Sequence, residues 1–185
     1  NRKVILLDKN HIMERSWKVR KQTKQIDIII QQEADIIALQ EVIETTYSKW
    51  IDGLAEVGYH VVGSFAFVEE KSILQHGRKY EVIIAAKWAF DVIQSGKVQI
   101  PWQERLLSVI IKHPSGPIGF HNIHMPAGVS HGVIKHQNFE GFTSISRIQA
   151  AACGFYAVIS IHLEWNTLTV ELLRGEKQSG TGMEG

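Results

Sequence analysis

An acidic residue ends one of the most apolar segments of the chain, and it is the first position at which chemistry can be predicted. The segment Asp35-Ile-Ile-Ala-Leu-Gln-Glu41 is too apolar and too short for anything but a buried strand. Open α/β sheets bind ligands at the carboxyl ends of their strands, and an acid is costly there unless it is solvated or paired. Glu41 is therefore a candidate metal ligand. The alternative is an ordinary acid that begins a solvated loop.

A second polar group lies in the segment Gly119-Phe-His-Asn-Ile-His-Met-Pro126. The period of two in a strand puts Asn122 and His124 on one face and His121 on the other, so the two histidines are not expected to chelate one metal ion together. Asn122 and His124 form a neutral donor pair that suits phosphate oxygens, and His124 could also transfer a proton. The alternative for His124 is a satisfied structural histidine.

Two more strand ends carry polar side chains. In His162-Leu-Glu-Trp-Asn-Thr167, Glu164 and Asn166 are two residues apart and share a face, from which they could face Glu41. A polar strand end without function is an equally good interpretation of this segment alone. Asn10 follows the first strand of the chain and offers a further amide at a strand end.

Two conspicuous residues are assigned structural roles. Arg105 opens the apolar segment that follows it, and we expect it to pair with Glu104 or with a backbone turn. Cys153 is the single cysteine of the chain, which excludes an intrachain disulfide and a multi-cysteine zinc site. We expect Cys153 to be a small buried residue near a helix end.

The positioning elements follow from hydrophobic periodicity and from Gly and Pro punctuation. Seven strands are predicted, at residues 3–7, 35–41, 59–67, 80–86, 106–112, 118–125 and 155–163. Three helices are predicted, after Ser16 to about residue 34, from Thr45 or Thr46 to residue 57 with Gly58 closing it, and over about residues 136–153. Residues 167–185 are predicted to be a flexible tail. This order indicates α/β layers with helices packed outside sheets.

Length and composition bound the class of protein. The 185 residues are 44% hydrophobic and 21% charged, which fits one globular domain of residues 1–166 followed by the tail and excludes disordered, collagen-like and coiled-coil chains. The net charge of +1 gives little argument for non-specific nucleic-acid binding. No apolar stretch reaches the roughly 20 residues of a membrane span, and no signal peptide is recognised. We expect a soluble protein, and its compartment stays open.

Four segments together resemble the endonuclease/exonuclease/phosphatase superfamily, the deoxyribonuclease-I-like phosphoesterases. They are Asn10 after the first strand, Asp35 to Glu41, Gln103-Glu-Arg-Leu-Leu-Ser-Val109, and Asn122-Ile-His-Met-Pro-Ala-Gly128. The resemblance covers about residues 3–128 well, and the stretch from Arg78 to Trp88 also looks like a strand of the family. It implies a four-layer sandwich of two facing sheets with outer helices, in which the second sheet is incomplete here.

The resemblance also implies a function and a site. Asn10 and Glu41 correspond to ligands of the family's catalytic divalent ion, Mg²⁺ or Mn²⁺, and His124 corresponds to the histidine that contacts the scissile phosphate. Asn122 is taken into the catalytic group with His124. The implied activity is hydrolysis of a phosphodiester or phosphomonoester, with nucleic acid, phospholipid and nucleotide substrates left undecided. Oligomeric state is undetermined.

The late motifs depart from the family. Where the family has Gly-Asp-x-Asn, this chain has Leu163-Glu-Trp-Asn166, so Glu164 replaces the aspartate and Asn166 matches the asparagine. The family's later Asp-His pair has no counterpart in this sequence, and we therefore expect an incomplete domain whose activity is in doubt. The alternative function is a non-catalytic α/β binding module or a degenerate fragment of the family.

Overall fold

Two β-sheets and three helices make up the described part of the computed structural model, which comprises residues 4–7, 20–68, 79–93, 100–125, 128–152, 155–162 and 167–174. Within these residues the elements are β1 (Val4–Leu7), α1 (Arg20–Gln31), β2 (Ile36–Ile43), α2 (Tyr47–Ala55), β3 (His60–Gly63), β4 (Tyr80–Ala86), β5 (Phe90–Val92), β6 (Leu106–Ile111), β7 (Ile118–His124), α3 (Gly128–Ala152), β8 (Phe155–His162) and β9 (Thr167–Arg174).

The order of the strands brings particular strand ends together. The first sheet has the order β1-β2-β4-β3 and the second has the order β5-β6-β7-β8-β9. Only β1 with β2 and β7 with β8 pair in parallel among the described strands, and the other pairs are antiparallel. The carboxyl ends of β1 and β2 therefore share one edge, and so do those of β7 and β8.

The two sheets pack face to face over an apolar core. β2 and β4 contribute small and branched residues such as Ala38 and Ile84, and β6 and β7 contribute residues such as Val109 and Phe120. These four side chains are fully buried. Alternation along each strand is the cause, because every second residue of a strand points to the same face.

Helices cover the outer face of each sheet. Ile29 of α1 and Leu54 of α2 are buried against the opposite face of β2 and β4, where Ile37 and Ile83 lie. On the other side of the molecule, Phe142 of α3 contacts the second sheet at its outer face. The predicted four-layer α/β sandwich with two facing sheets is thus confirmed, and the second sheet has five strands. None of the described helices combines the length and the apolar character needed to cross a lipid bilayer.

Several predicted boundaries need correction. The predicted strand 59–67 ends at Gly63 and continues as a 3₁₀ turn over Ser64–Phe67. The third helix begins at Gly128 rather than near residue 136, with a kink at His131, where φ is −140° and ψ is 37°. The predicted closure of the second helix is confirmed, because Gly58 has a φ of 91° that suits glycine.

Two strands were missed. β5 has only three residues and gives no periodic signal, yet it pairs with β6. The prediction of a flexible tail from residue 167 is wrong for Thr167–Arg174, which pair antiparallel with β8 along its whole length. Their alternating polar and apolar residues suit an edge strand, and the backbone of β8 supplies the partner that the sequence does not reveal. Residues 175–185 lie outside the described part, as does Cys153.

Candidate functional site

A β-bulge at the end of β2 turns Glu41 toward the second sheet. Between Leu39 and Val42, β2 has two residues, Gln40 and Glu41, where the partner strand β4 has only Val82. Leu39 and Val42 therefore both pack on the helix side, and the two residues between them both face the other sheet. Glu41 has a φ of 54°, a left-handed backbone conformation that is strained for a residue with a side chain.

Glu41 and His124 meet across the gap between the sheets. Oε1 of Glu41 lies 3.7 Å from Nε2 of His124, and the exposed fractions of the two side chains are 14% and 3%. Glu41 lies in the bulge of β2, two residues before that strand ends at Ile43, and His124 ends β7, so their approach depends on how the two sheets face each other. A carboxylate and an imidazole thus share one partly open position at the edge of the sandwich.

A buried amide pair joins the sheets directly beneath this position. The Gln40 Nε2 group donates to Oδ1 of Asn122 at 2.9 Å and to the carbonyl of Ile123 at 2.8 Å. Asn122 Nδ2 in turn donates to the carbonyls of Leu39 and Ile83, each at 2.9 Å. Four hydrogen bonds therefore connect β2 and β4 with β7. They fix the position of β2 relative to β7, and with it the position of Glu41 relative to His124.

The geometry of Asn122 differs from its expected role. Asn122 does lie on the same face as His124, as the strand period predicts, but it is fully buried. Both of its N–H groups already donate to backbone carbonyls. Asn122 and His124 therefore do not form the expected donor pair for phosphate oxygens, because no side-chain N–H group of Asn122 is left to donate.

His121 lies on the opposite face, as predicted. Its Nδ1 forms a 2.8 Å hydrogen bond with the hydroxyl of Ser108, and its ring packs edge-on against Phe142 of α3 at 5.3 Å between centroids. His121 is completely buried in the second sheet's outer layer. It is a structural histidine and does not share a position with His124.

Arg105 contacts the candidate site, which the sequence did not predict. Leu106 pairs with Ile123, so Arg105 is adjacent to His124 across the strands. Arg105 Nη1 lies 3.4 Å from Nδ1 of His124, and its guanidinium carbon lies 4.5 Å from the ring centre of Trp102. The expected structural role of Arg105 is therefore incomplete, because this side chain also contacts the imidazole of the site.

A second buried carboxylate was also missed. Glu81 of β4 lies on the helix side, 1% exposed, where Oε2 accepts a 3.2 Å hydrogen bond from the backbone N–H of Phe65. Burial raises the pKa of Glu81 to about 8, against the lowering effect of that hydrogen bond, and the charge of Glu44 raises it further. The pKa of Tyr47 is also raised, by burial and then by Glu81. The available sequence signal was an acid next to the apolar stretch 82–86.

Asn10, Glu164 and Asn166 lie outside the described residues. The strands that precede them are described. β1 ends at Leu7, which pairs with Leu39 two residues before Glu41. β8 ends at His162, and its preceding residue Ile161 pairs with His124.

The donor set at this edge suits a hard divalent cation. Glu41 supplies a carboxylate in a partly exposed position, and carboxylate oxygen with water is what Mg²⁺ ordinarily accepts. Among the described residues no group of three His, Cys, Asp or Glu side chains converges.

Comparison with solved structures identifies the same architecture. ANGEL2, a 2′,3′-cyclic phosphatase, matches with a TM-score of 0.55 and 16% identity over 82% of this chain and 45% of that chain. Truncated Caenorhabditis elegans TDP2 matches with a TM-score of 0.54 and 20% identity over 75% of this chain and 53% of that chain. A 3′-5′ exonuclease, NExo from Neisseria meningitidis, matches with a TM-score of 0.52 and 16% identity over 75% of this chain and 52% of that chain. The chain thus spans about half the length of each of these proteins.

The fold defines a deoxyribonuclease-I-like sandwich, the architecture of the endonuclease/exonuclease/phosphatase superfamily. The fold that the sequence resemblance implied is thus confirmed. No family model and no curated protein sequence matches the chain.

Proposed function

We propose that this chain is a phosphoesterase domain that uses a divalent metal ion, Mg²⁺ or Mn²⁺, to hydrolyse a phosphate ester. The observation that supports it most strongly is the 3.7 Å approach of Glu41 to His124 from two different sheets. A hard ligand for a cation and a neutral nitrogen donor for phosphate then lie side by side at one partly exposed position. The shared fold with phosphoesterases supports the same conclusion.

In this proposal Glu41 and Asn10 bind the metal ion. When bound, such an ion polarises a phosphoryl oxygen and stabilises negative charge on the leaving oxygen. Glu41 holds its carboxylate at the edge through the bulge, with its left-handed backbone aiming the side chain between the sheets. Asn10 follows β1, and the pairing of Leu7 with Leu39 supports its assignment to the same edge.

His124 is proposed to contact the phosphate, with Asn122 acting behind it. Asn122 and Gln40 hold β7 against β2 through hydrogen bonds of 2.8–2.9 Å, so they are positioning residues for His124 and Glu41. This role explains why an amide with no remaining N–H donor lies next to the site. A pre-organised donor loses less freedom when the phosphate binds.

Glu164 and Asn166 are proposed to act on the attacking water and on the transition state. The parallel pairing of β7 and β8 supports this assignment, because Ile161 is level with His124 and Glu164 follows it by three residues. Glu164 stands where the family has aspartate, and its longer side chain is expected to make the reaction slower. A displacement of about 1 Å costs on the order of 100-fold in rate.

The proposed substrate class is a phosphate ester of a nucleotide or a nucleic acid. The solved structures that match include a 2′,3′-cyclic phosphatase and a 3′-5′ exonuclease, which favours a nucleotide-containing ester over a phospholipid. The guanidinium of Arg105, whose Nη1 lies 3.4 Å from Nδ1 of His124, adds positive charge that fits an anionic ester.

Calorimetry and turnover test the metal site. Purified chain is titrated with MgCl₂ and with MnCl₂, and hydrolysis of bis(4-nitrophenyl) phosphate and 4-nitrophenyl phosphate is followed with each metal. We expect Glu41→Gln to abolish metal binding and to lower turnover at least about 100-fold, because a carboxylate ligand is lost. Glu44→Gln is the matched control, an exposed acid three residues later, and should leave both unchanged.

Three outcomes separate the alternatives. Turnover that is equal in wild type and Glu41→Gln would reject Glu41 as a metal ligand. Metal or inorganic phosphate binding without any hydrolysis would favour the non-catalytic binding module. Absence of both metal binding and phosphate binding would leave only the scaffold.

A further inference from the structure

We propose that Arg105 is a positioning residue that fixes the tautomer of His124, so that Nε2 carries the ring proton and donates it toward the phosphate beside Glu41. The inference rests on the proposed function, because it assigns the form in which His124 meets the ester. It also decides between the two roles that the sequence left open for His124, a donor or a proton acceptor.

The fold presents Arg105 to His124. A 3₁₀ turn over Gln103–Arg105 leads directly into β6, and the pairing of Leu106 with Ile123 makes Arg105 the cross-strand neighbour of His124. Cross-strand neighbours point to the same face of a sheet. The arginine therefore reaches Nδ1 of the imidazole, whereas Glu41 approaches the other ring nitrogen, Nε2.

The guanidinium is held in place by an anchored aromatic ring. It lies 4.5 Å from the ring centre of Trp102, within the range of a cation–π contact. The Trp102 backbone N–H donates to Oδ1 of Asn138 at 3.3 Å, which connects this turn to α3, and His131 packs edge-on at 5.0 Å. Arg105 is thus oriented before any substrate binds.

The chemistry of the guanidinium then determines the tautomer. Arginine has five N–H donors, no acceptor, and a charge that it keeps at all ordinary pH values. Its Nη1 lies 3.4 Å from Nδ1 of His124, so Nδ1 must accept and cannot itself carry a proton. In the neutral imidazole the proton therefore resides on Nε2, the atom that lies 3.7 Å from Oε1 of Glu41.

The consequence for the reaction is a donor at Nε2. An ester phosphate bound beside Glu41 would receive this N–H on a non-bridging oxygen, with the arginine charge behind the ring. His124 in this form has no free lone pair toward the ester, so it is not the base that takes a proton from water. We therefore assign proton abstraction to another group.

Nitrogen-15 NMR of the histidine side chains tests the tautomer without metal or ester. Spectra are recorded at about pH 8.5, well above the ordinary histidine pKa of about 6.5, and the His124 signals are assigned by comparison with His124→Gln. We expect an unprotonated Nδ1 and a protonated Nε2 in wild type. Arg105→Lys, which keeps a cationic donor, should preserve this pattern. Arg105→Glu offers an acceptor instead and should move the proton to Nδ1.

Binding of inorganic phosphate supplies a second measurement. Arg105→Gln should weaken it at least about tenfold, the usual effect of losing a charge-assisted contact, and Arg105→Lys should recover part of the loss. Arg147→Gln, an exposed arginine of α3, is the matched control and should change neither the tautomer nor the affinity.

The results distinguish this inference from the proposed function. A protonated Nδ1 in wild type would overturn the inference even if no variant folds, and so would an unchanged tautomer in Arg105→Glu. The expected tautomer in a protein that neither binds metal nor hydrolyses esters would support the role of Arg105 and reject the proposed function. Hydrolysis with the other tautomer would do the reverse.

Discussion

Replacing Glu81 with glutamine should remove a large part of the pH dependence of stability. This carboxyl is 1% exposed between β4 and α2, and its pKa is raised from 4.5 to about 8, first by burial. An unfolded chain releases the Glu81 proton near pH 4.5, whereas the folded protein retains it until about pH 8. The stabilisation is therefore complete below pH 4.5 and is lost progressively as the pH rises to about 8.

The size of the effect follows from this window. Up to neutral pH the ionisation of the unfolded state lowers the free energy of unfolding by on the order of 3 kcal/mol. Glutamine cannot ionise, so the free energy of unfolding of Glu81→Gln does not fall in this way as the pH rises. Its amide can still accept from the N–H of Phe65, but its N–H₂ group needs an acceptor where Oε1 of Glu81 has no hydrogen-bond partner among the described residues. The protonated carboxyl of wild type has one hydrogen in the same surroundings and the amide has two, so the extra unsatisfied N–H costs about 1 kcal/mol.

Urea unfolding from about pH 4 to pH 9, followed by the fluorescence of the five tryptophans, measures the difference. We expect the variant to be slightly less stable than wild type in acid and more stable above neutral pH. Glu56→Gln changes an exposed acid at the end of α2 and serves as the control with an unchanged profile. Parallel curves for wild type and Glu81→Gln across the whole range would refute the argument from burial.

Two more predictions concern the site's support. Asn122→Ala removes hydrogen bonds to two buried carbonyls and to Gln40, so it should lower the free energy of unfolding by about 2–4 kcal/mol in urea titrations, and a double-mutant cycle with Gln40→Ala should show coupling of about 1 kcal/mol. A cost near zero would mean that the sheets do not depend on this pair. Glu41→Gly relieves a left-handed backbone with a φ of 54° and should raise thermal stability by about 1 kcal/mol while eliminating metal binding. Glu33→Gly, at a φ of 52° and exposed, is the control that should gain stability without changing metal binding; destabilisation by Glu41→Gly alone would contradict the strain argument.

The sequence identifies several residues of the candidate site, but it does not predict which of them contact one another. Glu41 was recognised because an acid ends an apolar segment, and His124 because the strand period puts it on one face with Asn122. The bulge that turns Glu41 toward His124 could not be predicted, since simple alternation would put Glu41 and Gln40 on opposite faces. Arg105 was given a local role, and only the register of β6 with β7 brings it to the imidazole.

Buried polar residues were the least predictable part. Glu81 was read as one more strand position, because nothing in a single sequence indicates that a helix will cover it. Asn122 was interpreted as a donor to ligand because its type suits that role, whereas its neighbours in space use both of its N–H groups. Asn10, Glu164 and Asn166 remain predictions from the sequence.

The sequence by itself determined the helices, most of the strands and the polar residues at strand ends, since apolar periodicity and turn residues act over a few neighbouring positions. The tertiary structure decided which of those ends meet. Gln40 donates to Ile123 across 83 residues of chain, and such a contact depends on strand order, register and the packing of one sheet on the other. These are properties of the whole core, because each sheet is stable only when its apolar face is buried against a partner.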